Sequence, residues 1–126
     1  MYTDLLARIK NAENARRESL QAPFSRMDFE IAQLLSARGY LGEVQKRAVG
    51  RRNVIDIRLK YSGGQPALRD FRIFSKPSRR MYTGYREIKS VHQGFGLAVF
   101  STPEGVMHGG EARKKKLGGE FLFQIW

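Results

Sequence analysis

"FSRMDFEIAQLLSARGYLGEVQ", residues 24–45, holds a helix, both of its ends and the start of a strand. Ser25 stands where an N-cap belongs, and Asp28 three residues later completes an S-x-x-D capping box. Phe24 and Phe29 occupy the two positions of a hydrophobic staple. Met27, Ile31, Leu34 and Leu35 fall on one stripe at helical spacing. Gly39 follows Arg38, as a C-terminal glycine cap should. The spacing therefore predicts a helix over Ser25–Arg38. Past Gly39 the pattern changes, and "YLGEVQ" reads as a strand.

The strand finds its partner downstream. In "NVIDIRLKY", Asn53–Tyr61, the residues Ile55, Ile57, Leu59 and Tyr61 face one way, and Val54, Asp56, Arg58 and Lys60 the other. Such alternation marks a half-buried antiparallel strand, paired with "YLGEVQ" across the basic loop "RAVGRRN". Upstream, Leu5, Leu6, Ile9 and Ala12 predict an opening helix of about three turns. "SLQAP", Ser19–Pro23, is a strand or an extended link. Gly63-Gly64 is a turn, "ALRDFRIF" resumes strand character, and Pro77 ends that run. The glycines and a following proline place a boundary between residues 62 and 67, giving regions 1–64 and 65–126. In the second region "FGLAVF", Phe95–Phe100, reads as a buried strand and "GEARKKKL" as a short helix or turn. "EFLFQIW" reads as a closing strand with Phe121, Phe123 and Ile125 on one face. There is no internal repeat.

Lys and Arg outnumber Asp and Glu by 23 to 12 among 126 residues, for a net charge of +11. Hydrophobic residues make up 41%, enough to bury a core and too many for a disordered chain. Such a charge speaks about partners rather than fold, and nucleic acid is the commonest polyanion. Residues 1–63 carry +5 and residues 64–126 carry +6, so the cations decorate folded surface rather than a detachable tail. With no cysteine, disulfides and thiolate metal sites are excluded, and a reducing compartment fits. "FGLAVF" is far too short to span a bilayer, and "MYTDLLARIK" lacks the apolar core of a secretory signal, so no membrane partner is expected.

Catalysis finds little support. The two histidines, His92 and His108, have no sequence-local partner, and no H-x-x-E-H, G-x-S-x-G or Walker pattern occurs. No enzyme activity, cofactor or small-molecule substrate is expected. Three basic stretches stand out. "KRAVGRR", Lys46–Arg52, fits phosphate contact and a solvated hairpin tip equally well. The run Arg113–Lys116 also suits the end of a helix, where cations offset the dipole. "FSKPSRRMY", Phe74–Tyr82, interleaves Lys76, Arg79 and Arg80 with Tyr82 and nearby Tyr85, a mixture suited to RNA, whose bases stack and whose phosphates need pairing, and almost equally to a Tyr82 packed in the core beside arginines that merely solubilise the surface.

"FSTPEGVMHGGEARKKKLGGE", Phe100–Glu120, brings small hydroxyls, glycines and cations close together. Ser101 and Thr102 can reach a base edge or a ribose 2′-OH on short arms. Gly105 permits close backbone approach, and Gly109-Gly110 can expose amides at a helix start. An ordinary strand-to-helix turn explains the same residues, and the chemistry alone does not separate the two.

This stretch resembles the C-terminal signature of the small-subunit ribosomal protein eight family, approximately S-T-S-x-G-V-M-T-D-x-x-A-R followed by L-G-G-E. Ser101, Thr102, Gly105, Val106, Met107, Ala112, Arg113, Leu117, Gly118, Gly119 and Glu120 match in register. "DLLARIKNA" resembles the family's opening helix, and "PFSRMDFEIAQLLSARGYL" its capped second helix. "FSKPSRRMY" is similar to its S-K-P-G-x-R-x-Y hinge and "GFGLAVFST" to its G-x-G-I-x-x-x-S-T strand. The similarity covers essentially all 126 residues.

The resemblance implies an α+β fold, with two N-terminal helices on a small sheet and a β-rich C-terminal part holding a short helix. It implies a structural component of the small ribosomal subunit that binds the central domain of the small-subunit ribosomal RNA during assembly. Neighbouring ribosomal proteins would be further partners, on a cytoplasmic or an organellar ribosome. Family members can also repress their own messenger by binding a mimic of the same RNA site. The match puts Ser101, Thr102, Glu120, Arg80 and Tyr82 on or near the RNA face. Lys76, Tyr85, Pro103, Gly105, Arg113, Lys114 and Lys115 join them from the motifs just described. Three positions depart from the pattern: Pro103 replaces a loop serine, His108-Gly109 replaces Thr-Asp, and Ser78 replaces the hinge glycine.

Overall fold

The computed structural model describes residues 2–76, 78–87 and 96–126, so the expectations for Pro77, His92 and Phe95 lie outside the described residues. The fold is α+β, and the chain divides into two compact units, Met1–Arg69 and Asp70–Trp126.

In the first unit, α1 (Tyr2–Asn14) buries Tyr2, Leu5, Leu6, Ile9 and Ala12. It ends on Arg16, held at φ 56°. The N–H of Arg17 reaches Ala12 O at 3.0 Å and that of Arg16 reaches Glu13 O at 3.0 Å, the paired bonds of a Schellman cap. Helix α2 (Arg26–Ala37) begins as its sequence requires. The Ser25 hydroxyl accepts from the Asp28 N–H at 3.1 Å, and the Phe24 and Phe29 rings meet with centroids 5.6 Å apart. It closes with the same cap on Gly39, at φ 86°. Burial pushes the Asp28 carboxyl above its ordinary value, against the pull of its hydrogen bond with Ser25.

The helices cover one face of a three-stranded antiparallel sheet of order β1-β3-β2, where β1 is Ser19–Pro23, β2 is Leu41–Val49 and β3 is Arg52–Leu59. "SLQAP" is thus a strand. Ala22 opposite Ile55, and Leu20 and Val44 flanking Ile57, set the register. Ile55, Ile57 and Leu59 are buried with Leu5, Ile9, Ile31 and Leu35. The expected basic loop shrinks to two residues. The ladder runs on through Arg47–Val54, Ala48–Asn53 and Val49–Arg52, and only Gly50 (φ 63°) and Arg51 turn the corner. Exposed cations tolerate an extended ribbon, and the left-handed glycine makes so tight a connection feasible.

A second hairpin follows, β4 (Tyr61–Ser62) against β5 (Gln65–Pro66). Gly63 and Gly64 sit at φ 59° and 80°, as the central pair of a type I′ turn demands. Tyr61 Oη donates to Arg17 O at 2.7 Å, and the Arg16 guanidinium donates to Gly64 O, tying the hairpin to the end of α1. The residues proposed as a boundary form this hairpin, while the two units part after Arg69.

The second unit is a five-stranded antiparallel sheet organised by β10 (Gly119–Ile125). One side of β10 pairs with β8 (Leu97–Thr102), which pairs on with β9 (Gly105–His108). The other side receives β7 (Tyr82–Thr83) at its start and β6 (Phe71–Ile73) at its end. The strand expected over "ALRDFRIF" is confined to Phe71–Ile73, because the chain bends at Leu68 to bury that side chain completely. A 3-10 turn, Tyr85–Glu87, and the short helix α3, Gly109–Lys114, complete the unit.

One expectation fails informatively. A bulge between Phe121 and Phe123 sets Phe121 opposite Phe100 but Phe123 opposite Val99. Phe100 and Val99 are successive strand residues and point to opposite faces, so Phe121 and Phe123 do too. Phe121 stacks between Phe100 and Phe74, at centroid distances of 4.8 and 4.3 Å, above the cluster of Ala98, Met107 and Ala112. Phe123 and Ile125 are buried on the far face, and the bulged Leu122 is buried as well.

Candidate nucleic-acid interface

The register of β10 brings residues from three distant segments into one row. Glu120 is paired with Tyr82 on one side and with Ser101 on the other. Directly opposed residues of antiparallel strands share a face and stand about 5 Å apart. Tyr82, Glu120 and Ser101 are therefore neighbours, on the face opposite Phe100 and Phe121.

Each member has a different degree of freedom. Tyr82 is 74% exposed, the most exposed large apolar side chain among the described residues. Core packing cannot explain a tyrosine so placed. Glu120 is fixed instead: Arg80 Nη1 lies 3.1 Å from its Oε2, and the Ser75 hydroxyl donates to the same oxygen. Ser75 is fully buried and accepts in turn from the Met81 N–H at 3.2 Å. Ser101 is half-buried, and its hydroxyl has no hydrogen-bond partner among the described residues.

Thr102 differs from its neighbour. Its Oγ1 donates to Gly105 O at 2.8 Å and accepts from the Glu104 N–H at 3.2 Å, so the hydroxyl closes the β8–β9 turn. Pro103 and Glu104 form the exposed tip, and Gly105, at φ 115°, supplies the conformation that returns the chain. Tyr85 goes inward. Its ring packs against Ala98, Phe100, Met107 and Ala112, and its hydroxyl accepts from Arg86 Nε at 3.1 Å.

Apart from Arg80, the cations expected at the site lie at two places. Lys76 and Arg79, both exposed, exchange backbone hydrogen bonds of 2.9 Å. Arg113, Lys114, Lys115 and Lys116 are exposed at the end of α3, where Lys115 pairs with Glu111 at 3.4 Å. Lys116 occupies a left-handed position, φ 58°, and closes α3 by the cap seen at Arg16. Gly109 is buried, whereas Gly110 is exposed with the ring of His108 beside it. Among the described residues no group of three His, Asp or Glu could hold a metal ion, and no helix is long and apolar enough to cross a membrane.

The profile of the family described as Ribosomal protein S8 matches residues 1–126. The chain belongs to the ribosomal protein S8 family. It is 38% identical over 123 residues to the small ribosomal subunit protein uS8 of Zymomonas mobilis. It is 42% identical over 124 residues to the protein of that name from Anaeromyxobacter sp., and 40% identical over 124 residues to that from Acidobacterium capsulatum. Each match covers 98% of this chain and 94% of the relative.

In this S8 family member the departures from the expected pattern have local consequences. Pro103 falls at an exposed turn corner, where its fixed φ is an asset. His108 takes the N-cap position of α3 with no side-chain capping bond, which leaves that helix start without the usual hydroxyl or carboxylate acceptor. Ser75 lies in the hinge motif and Gly118 and Gly119 in the L-G-G-E signature, but the sequence assigned none of them a role. A Cβ on Gly119 would fall 2.2 Å from Ser101 O, and one on Gly118 would fall 2.8 Å from Thr83 O. The two glycines let β10 slot between β7 and β8. The Gly-Gly-Glu order was visible, but the strands it separates lie 18 and 36 residues upstream, beyond any local pattern.

Proposed function

We propose that this chain is a structural, non-catalytic component of the small ribosomal subunit, one that binds the central domain of small-subunit ribosomal RNA and helps it fold during assembly. The second unit is the RNA-binding one. Tyr82, Glu120 and Ser101 form its recognition face, with Arg80 beside them, and Lys76, Arg113, Lys114 and Lys115 supply phosphate contacts. Thr102, Pro103 and Gly105 shape the adjoining turn, and Tyr85 supports it from inside.

The observation that carries this reading is the pairing of a 74% exposed tyrosine with an anchored carboxylate and an unengaged hydroxyl in one row. A ring presented to solvent stacks on a base, while short acceptors and donors meet base edges and 2′-OH groups. The names of the curated relatives place those proteins in the small ribosomal subunit, and the bacterial ones support a cytoplasmic ribosome as the setting. Neighbouring ribosomal proteins follow as partners. Binding selects the RNA fold that fits the face, so assembly is driven by mass action.

The test is titration of the purified protein onto a central-domain fragment and a scrambled hairpin of equal length. Tyr82→Ala should weaken cognate binding by about 1–3 kcal/mol, the range for loss of one base stack. Ser101→Ala should remove about 1 kcal/mol. Wild-type protein that binds the two RNAs equally well would sink the proposal.

A further inference from the structure

We propose that Ser75 is a positioning residue for RNA recognition, acting through Glu120. This rests on the reading that the Tyr82–Glu120–Ser101 row binds RNA. Ser75 is completely buried, so it cannot touch RNA itself. Its hydroxyl donates to Glu120 Oε2 and accepts from the Met81 N–H at 3.2 Å. Arg80 Nη1 reaches the same Oε2 at 3.1 Å. Both contacts thus load one oxygen and leave Oε1 for a hydrogen-bond donor outside the chain.

The backbone fixes Ser75 from the other direction. The carbonyl of the bulged Leu122 accepts from the N–H groups of Phe74 and Ser75, at 3.0 and 3.3 Å. Two residues along the same strand, Glu120 receives the Ser75 hydroxyl. The bulge and the serine together determine where the carboxylate stands. A carboxylate without them would be free to swing onto Arg80 with both oxygens, the usual bidentate geometry of that pair. It would then no longer offer Oε1 between Tyr82 and Ser101. In a chain of net charge +11, the acid on this face acts by position rather than by attraction to the RNA.

The experiment is a double-mutant cycle on the full chain, read as cognate affinity and as the ratio of cognate to scrambled RNA. The variants are Ser75→Ala, Glu120→Ala and the pair. Ser75→Ala should lower cognate affinity about tenfold and leave scrambled binding unchanged. In the Glu120→Ala background it should have no further effect. A merely structural serine, acting through the Met81 N–H, would cause the same loss in both backgrounds, and that additivity would overturn the proposal. Ser75→Cys guards against misfolding, since a thiol of similar size is a weaker donor; the chain has no other cysteine. It should show a smaller loss with the same coupling to Glu120. Full cognate affinity in both Ser75 variants, with Glu120→Ala impaired, would refute the role of Ser75 alone. If Glu120→Ala and Tyr82→Ala also bind like wild type, the RNA face lies elsewhere and the proposal falls with it.

Discussion

Gly119→Ala offers a severe test of how the second unit is assembled. The new Cβ would lie 2.2 Å from the carbonyl oxygen of Ser101, 2.9 Å from its carbon and 3.2 Å from Thr102 Cα. All three are backbone atoms of β8, so no side-chain rotation can relieve them. Restoring ordinary contact requires the strands to part by about 1 Å, from a normal spacing of about 4.8 Å. A rung hydrogen bond of about 2.9 Å would stretch to about 3.9 Å and be lost. Two such bonds are worth about 1 kcal/mol each, and residual overpacking adds 1–3 kcal/mol. A loss of about 3–5 kcal/mol follows, or roughly 10–20 °C in melting temperature. Gly110→Ala is the control, because its Cβ meets only the movable ring of His108, at 3.0 and 3.2 Å. Inside a helix alanine gains about 0.5–1 kcal/mol, so that variant should stay within about 1 kcal/mol of wild type. Thermal and denaturant unfolding followed by circular dichroism would measure both. If Gly119→Ala melts with Gly110→Ala, the close approach of β10 and β8 is not what Gly119 serves.

Four further outcomes are expected. Ser25→Ala should lower stability by about 0.5–2 kcal/mol with RNA affinity unaltered, since its hydroxyl is occupied by the Asp28 N–H; a drop in affinity at unchanged melting temperature would place Ser25 on the RNA. Glu13 is buried with both carboxylate oxygens unpartnered, and desolvation lifts its pKa from 4.5 to about 7 against the opposing charge of Lys10. The folded chain therefore keeps a proton that the unfolded chain releases, so this group's contribution is full below pH 4.5 and is lost as pH rises through about 7. Glu13→Gln should abolish that decline, of at most about 3 kcal/mol, in unfolding measured across the window. Lys116→Gly should stabilise the chain by about 1 kcal/mol by removing a side chain from a left-handed position, read by the same unfolding assay. Arg113→Gln with Lys114→Gln should flatten the slope of log affinity against log salt by up to about 1.5 while the cognate-to-scrambled ratio holds; lost selectivity at an unchanged slope would mean these cations read structure directly.

Local chemistry was legible and long-range pairing was not. The capped helix over residues 24–39 could be read because cap, staple and stripe all lie within sixteen residues. The endings of α1 and α3 could not, because Arg16 and Lys116 take a conformation that sequence reasoning assigns to glycine. The alternation of β3 was plain, whereas in β10 a bulge broke the period and moved Phe121 away from Phe123. At the site, resemblance supplied Tyr82, Arg80, Ser101 and Glu120, but residue types cannot tell an exposed tyrosine from a packed one. Tyr82 and Tyr85 looked equivalent until their surroundings separated them. Ser75 escaped notice because its partner lies 45 residues away.

The placement of β10 also bears on how the chain is made. Strands β6, β7 and β8 each pair with β10 and not with one another. During synthesis from the N-terminus, all three leave the ribosome before the strand that unites them. The first unit can settle early, since α1, α2 and β1 to β3 are all upstream. The second must wait, with Tyr82 and Ser101 held apart on unjoined segments, until Gly119–Ile125 threads between them and closes long loops at once. A translation product that stops short of β10 thus lacks the row altogether, and on the proposed reading of that row connectivity alone keeps unfinished copies from competing with finished ones for RNA.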